Sequence, residues 1–212
     1  MAFTVSLFDL DLPAQEISAL GDLLDASEWK RAAAFHFERD RNRYIARRGQ
    51  IREELALRIG CAPVELPIVP DSNGKPYLPD MPQLRFSLSH SDGRCLFTTS
   101  EDAEIGCDIE RLKAEHARPA VAERFFAPEE VAALKALPSD QWTQGFFNCW
   151  TRKEAYVKAL GLGLAYPLES FAVTVSPGQP PRLLRGEHPC AMAAVDAGPG
   201  FCGAVVTLTV PV

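Results

Sequence analysis

Apolar and polar residues alternate over residues 3–10, the two-residue period of a strand with one buried face. From 28 to 59 the pattern turns helical, with Ser27 as N-cap, a break near 36–40, and Gly60 placed where a left-handed residue stops a helix. Six prolines between 62 and 82 mark a loop. Three β-like runs follow at 84–89, 95–100 and 104–110, separated by Ser91-Asp92-Gly93 and Asp102-Ala103, and predict an antiparallel meander. Pro128 with Glu129 and Glu130 opens a helix that ends near Leu137, because a first-turn proline and first-turn acids both favour a start. Ser139-Asp140 opens a longer one that Gly161 ends, and strands are predicted at 171–175, 190–195 and 201–210. Helices followed by strands in each half give an α+β class, with one lobe at 1–103, a second at 104–212, and a meeting point near 103–110.

Composition narrows this to one compact unit or two small packed lobes: 212 residues, 47% hydrophobic and 24% charged. The 28 acidic against 22 basic residues give a formal charge of -6, which argues against a nucleic-acid surface. Six cysteines form no CxxC pair and are expected to be reduced, buried thiols. The N-terminus lacks a basic region, acids follow at Asp9 and Asp11, and no apolar run approaches the ~20 residues of a membrane span. A cytoplasmic protein without membrane contact is expected.

Four constellations carry candidate chemistry. On a strand through Ile105-Gly106-Cys107-Asp108-Ile109-Glu110, Asp108 and Glu110 share one face with Cα atoms roughly 7 Å apart, opposite the apolar residues. Two adjacent carboxylates repel unless a cation lies between them, and such oxygen donors suit Mg²⁺; Gly106 would leave room for a ligand. Phe146, Trp150, Glu154 and Lys158 recur every four residues, so the last two ride a helical stripe whose aromatics face the core. Either this is an exposed ion pair, or the inward charges serve as a third metal carboxylate and a phosphate-binding lysine. Arg39, Arg41, Arg43, Arg47, Arg48 and Arg52 form a run in which most read as a solvated face and one or two would bind an anion. Asn73-Gly74-Lys75-Pro76 presents a lysine on a turn, and Ser89-His90-Ser91 ends a strand with free donors; no nucleophile elbow surrounds the serines.

The order of Lys75-Pro76, Ser89-His90-Ser91, Gly106-Cys107-Asp108-Ile109-Glu110 and Trp150-Thr151-Arg152-Lys153-Glu154 with Lys158 and Gly161 resembles the motif series of the 4′-phosphopantetheinyl transferases of the Sfp type. Arg43 and Arg52 keep the spacing of that family's helix start, and the likeness spans about residues 40 to 175. It implies two similar lobes related by a pseudo-two-fold, each an antiparallel sheet with packed helices. Coenzyme A and Mg²⁺ would be held between them in a monomer. Such enzymes move phosphopantetheine from coenzyme A to a serine of an apo acyl or peptidyl carrier protein, releasing adenosine 3′,5′-bisphosphate. Carried over, Asp108, Glu110 and Glu154 are the metal ligands. Lys158 and His90 hold the pyrophosphate, Lys75, Ser89 and Arg43 contact the nucleotide end, and Arg43 and His90 lie near its 3′-phosphate. Lys153 joins the cofactor-binding set as the neighbour of Glu154, and the base is Glu154 or a water held by Glu110. Cys107 and Thr151 depart mildly from the family pattern without touching these roles. Two other classes stay open: a coenzyme A or carrier-protein binding module without transfer, and a Mg²⁺-dependent hydrolase of nucleotide pyrophosphates.

Overall fold

The structure, a computed structural model, describes residues 2–163 and 166–209. Strand β1 (Thr4–Asp9) leads into helices α1 (Ala14–Gly21), α2 (Ala26–Ala33) and α3 (Glu38–Ile59), then the short strands β2 (Val69–Pro70) and β3 (Pro76–Tyr77), then the hairpin β4 (Arg85–Ser91) and β5 (Arg94–Ser100). Strand β6 (Ile105–Arg111) begins the same order again: α4 (Pro119–Phe125), α5 (Pro128–Lys135), α6 (Trp142–Leu160), the short pair β7 (Ala172–Val173) and β8 (Leu183–Arg185), and the hairpin β9 (Cys190–Val195) and β10 (Phe201–Leu208). The sheets are ordered β1-β5-β4 and β6-β10-β9. In both, an opening strand pairs with the second strand of the closing hairpin, antiparallel throughout. The chain is α+β and repeats one connectivity twice, although no residue-level repeat is visible in its sequence.

Gly60 and Gly161 end α3 and α6 with φ of 80° and 69°, a region that glycine enters without a Cβ penalty. The cap of α2 is Asp25 rather than Ser27: its carboxylate accepts from the Ser27 and Glu28 amides while Glu28 reaches back to the Asp25 amide, a capping box. Helix α1 has no side-chain cap and follows from packing, its Ile17 and Leu20 buried and Leu20 lying on Gly49 of α3 where a Cβ would overlap it. The predicted meander is corrected: β4 and β5 form the hairpin, but β6 leaves that sheet and pairs with β10. Val210, the last residue of the predicted final strand, lies outside the described residues.

One core lies beneath the first sheet and another beneath the second, around α6. A small third cluster joins them, with Leu96 of β5 packed among Ile105, Cys107 and Ile109 of β6 and Val205 of β10. All six cysteines are free, but only Cys95, Cys107, Cys149 and Cys202 are buried; Cys61 is exposed and Cys190 partly so, which corrects the expectation of six buried thiols. Among the described residues no helix is long and apolar enough to cross a membrane.

Candidate active site

Strands β4 and β6 are the facing edges of the two sheets, and serine side chains close the seam between them. Alternation along β4 puts Ser87, Ser89 and Ser91 on one face. The Cys107 amide donates to Ser87 Oγ at 3.1 Å, and the Arg111 amide donates to Ser91 Oγ at 3.0 Å. These are amides that an edge strand would otherwise leave unpaired. Ser91 Oγ donates in turn to Glu110 Oε2 at 2.7 Å, and Ser89 Oγ to Asp108 Oδ1 at 2.7 Å. Lys158 Nζ, from α6, donates to Asp108 Oδ1 at 2.7 Å and to Ser89 Oγ at 3.0 Å.

Gly106 lets α6 lie this close to β6. A Cβ there would run into the Ala155 carbonyl oxygen and the Ala159 amide nitrogen and lie 2.8 Å from the Lys158 carbonyl carbon. The space at Gly106 therefore belongs to the helix backbone and not to a ligand, contrary to the expectation from sequence. It sets the stripe of Phe146, Trp150, Glu154 and Lys158 so that its charged end reaches the seam while Phe146 stacks on Trp150 inside the second lobe.

Asp108, Glu110, Glu154, Lys158, Ser89 and His90 line one cavity of about 500 Å³. Asp108 is buried, and its Oδ2 has no hydrogen-bond partner among the described residues. Loss of hydration and repulsion from Asp108 raise the carboxyl pKa values of both Glu110 and Glu154, although the Ser91 bond partly offsets the effect at Glu110. Burial opposes the Lys158 ammonium, but Asp108 and Glu154 outweigh it and hold its pKa above the ordinary value. Among the described residues, no three acidic, histidine or cysteine side chains come within reach of a single ion. The three carboxylates share a chamber without converging.

Two further cavities adjoin this one and share wall residues with it. The first, about 460 Å³, shares Lys158 and Leu88 with it and extends to Lys75 and Gly74. Lys75 sits on a turn whose Asp71 carboxylate accepts from the Asn73 and Lys75 amides, and Asn73 Nδ2 donates to the Gly161 carbonyl at the end of α6. Its ammonium pairs with Glu104 at 3.0 Å. The second, about 390 Å³, contains Arg43 and shares His90. Arg43 is held by two bonds to Asp11, at 2.6 and 2.7 Å. Partial desolvation, with the nearby charges of Arg47 and Lys158, pulls His90 from the ordinary 6.5 down to about 4, so it stands neutral at pH 7.

Lys153 does not join these cavities. Fully buried in the second core, it pairs with Glu130 at 2.8 Å and donates to the Leu168 and Phe171 carbonyls, while Glu130 accepts from the Ala127 and Val173 amides. Its cofactor-binding assignment gives way to a structural one. Lys153→Met should lower stability by about 3 kcal/mol, because it strands the Glu130 carboxylate in the core. Chemical denaturation measures this, and a stability equal to that of the parent chain would refute the structural role.

Sequence reasoning gave a role to Ser89, quoted Ser91 only as part of the Ser89-His90-Ser91 motif, and missed Ser87; their alternation along the strand was the available signal. It also passed over Arg47, which lies within the arginine run and lines all three cavities.

The family model described as the 4′-phosphopantetheinyl transferase superfamily matches residues 104–205. The chain is 37% identical to the 4′-phosphopantetheinyl transferase HetI of Nostoc sp. over 82% of this chain and 74% of that protein. It is 32% identical to a 4′-phosphopantetheinyl transferase of Bacillus subtilis over 89% of this chain and 84% of the relative. To the transferase Sfp of Bacillus subtilis strain 168 it is 29% identical, over 93% and 88%.

Proposed function

Because this chain belongs to the 4′-phosphopantetheinyl transferase superfamily, we propose that the seam between β4 and β6 is where it transfers 4′-phosphopantetheine from coenzyme A to a serine of an apo carrier protein. The chain is an enzyme of that activity, and adenosine 3′,5′-bisphosphate is the second product. We read residues 1–103 and 104–212 as its two lobes, and the protein as a cytoplasmic monomer. The observation that carries the residue assignment is the knot of Asp108, Ser89 and Lys158 beside Glu110 and Glu154 in one chamber.

The donor's diphosphate would lie in that chamber, with Lys158 against its oxygens. The acceptor serine attacks the phosphorus that bears the pantetheine arm, and the bond from that phosphorus to the bridging oxygen breaks. The bisphosphate leaves with the bonding electrons, and Lys158 offsets its growing charge. Asp108 is bonded to Ser89 and Lys158, and Glu110 to Ser91, whereas Glu154 accepts no hydrogen bond among the described residues. Glu154 is therefore the carboxylate free to take the serine's proton. His90 and Arg43 face the cavity that suits the 3′-phosphate, and Lys75 the one that suits the base.

The donor set fits Mg²⁺: three hard carboxylates, one presenting a buried, unpartnered oxygen, two desolvated and repelled by the third. As they stand Asp108, Glu110 and Glu154 line the chamber without converging, so they would have to draw together to hold it, and it would neutralise charge on the diphosphate.

Incubating the protein with coenzyme A and Mg²⁺, with and without apo carrier proteins, should yield bisphosphate only when a carrier is present. Release without a carrier would instead mean hydrolysis, and binding of coenzyme A without release on a panel of carriers would mean a binding module. Arg43→Ala should weaken coenzyme A binding about tenfold, the low end for a charged contact since Asp11 already shares the guanidinium. Binding of 3′-dephospho-coenzyme A should change less, and an equal loss with both would disconnect Arg43 from the 3′-phosphate.

A further inference from the structure

Helix α3 carries seven arginines, and among the described residues six of them have carboxylate partners. Arg39 pairs with Asp40, Arg41 with Glu38, Arg43 with Asp11, Arg48 with Glu28, Arg52 with Asp25 and Glu28, and Arg58 with Glu54. Arg47 is the exception. Its Nε is buried without a hydrogen-bond partner, and its guanidinium lies over the Tyr44 ring, 5.5 Å from the centroid. Burial, together with the like charges of Arg48 and Arg31, lowers its pKa. A desolvated cation without a counter-ion is costly to keep, so its retention points to an anion that arrives from outside.

The position of Arg47 indicates which anion. The chamber of Asp108, Glu154 and Lys158, the cavity of Arg43 and His90, and the cavity flanked by Ile68, Val69 and Pro70 all include Arg47 in their walls. A ligand that fills three cavities meeting at one residue has three arms leaving one centre. A ribose with a base at C1′, a phosphate on O3′ and a phosphate chain on O5′ has that shape. The acidic chamber with its lysine suits the phosphate chain, the Arg43 cavity the single phosphate, and the more apolar cavity the base. We propose that Arg47 bridges the two phosphates of a 3′,5′-bisphosphorylated nucleoside, reading both at once with its planar fork. This rests on the transferase reading, to which it adds a nucleotide-specificity residue that the motif series does not contain.

The test is calorimetric titration of adenosine 3′,5′-bisphosphate and of 3′-dephospho-coenzyme A into the intact protein and into Arg47→Gln, with steady-state transfer and thermal melts alongside. In Arg47→Gln the bisphosphate should bind at least tenfold more weakly, and the KM for coenzyme A should rise comparably with kcat within about threefold. Without ligand, the variant should melt at or above the temperature of the parent chain, since it loses an unpaired charge. Affinity for 3′-dephospho-coenzyme A should fall by a smaller factor than affinity for the bisphosphate. Unchanged bisphosphate affinity in Arg47→Gln would overturn the inference and leave the transferase reading standing. Failure of the parent chain to bind either nucleotide would overturn both. If Arg47→Gln did not fold, Arg47→Lys, which keeps the charge but loses the fork, decides by the same titrations: weaker bisphosphate binding supports the bridge and unchanged binding refutes it.

Discussion

Glu154→Gln is expected to lower the transfer rate about a thousandfold while the protein melts at a higher temperature at pH 7. The loss follows from removing the one seam carboxylate without a hydrogen bond among the described residues, the group proposed above both to take the serine's proton and to help hold Mg²⁺; losing a positioned base costs about 10²–10⁴. The gain in stability follows from the same surroundings. Burial and the charge of Asp108 raise the Glu154 pKa above the ordinary 4.5, so ionised Glu154 is less favourable in the folded chain than in the unfolded one. The folded chain therefore holds its proton to higher pH, and stability falls as pH rises from 4.5 through the folded-state pKa. Above that window the whole penalty is present in the parent chain and absent from the glutamine variant. The two should melt together near pH 4 and separate towards neutrality. Mass analysis of the carrier protein reads the rate, and melts across that pH range read the stability. Near-parental transfer with unchanged circular dichroism would remove Glu154 from the chemistry.

Gly106→Ala should damage fold and activity together. The added methyl would meet the main chain of α6 at Ala155, Lys158 and Ala159, not a side-chain end that can swing aside. Overpacking against movable groups costs about 1–3 kcal/mol, and a clash with a helix backbone belongs at or beyond the upper end. The helix can relieve it only by moving away from β6, which carries Glu154 and Lys158 off Asp108; displacement by about an ångström costs on the order of a hundredfold in rate. A loss of about 3 kcal/mol in chemical denaturation, with a transfer rate down about a hundredfold, is the expected pair of results. Parental stability and rate would mean that α6 does not rest on this residue.

Periodicity and punctuation made much of this architecture readable in advance. The long helices announced their ends through Gly60 and Gly161, and the alternation in 84–89 and 95–100 marked a hairpin. Partnership was less legible. The run 104–110 reads as a strand and one stands at Ile105–Arg111, but its ladder partner lies in 201–208, and nothing local to either run encodes that choice. Helix α1 escaped notice because its eight residues carry no side-chain cap and depend on the flat surface that Gly49 offers. The same limit shaped the reading of the site. Asp108, Glu110, Glu154 and Lys158 could be grouped because strand and helix periods place them on shared faces. Lys153 misled because it adjoins Glu154 in sequence, whereas successive helical residues point about 100° apart, and that turn sends it to Glu130 in the core. Arg47 was indistinguishable from its neighbours until the remote partners Asp11, Asp25 and Glu28 were seen to occupy Arg43, Arg48 and Arg52.

The hydroxyl seam has one more consequence. An outer strand with open amides is a template on which a stray chain can build, and two of this fold's outer strands, β4 and β6, lie side by side. Ser87 and Ser91 of β4 cover the Cys107 and Arg111 amides of β6, and Ser89 bonds the Asp108 carboxylate, in place of a continuous backbone ladder. Had the two joined by a full ladder, the six strands would form one uninterrupted sheet with no crevice at its middle. Short side chains thus shield the amides of β6 and, by standing the strands apart, leave the gap that the transferase reading gives to the substrate.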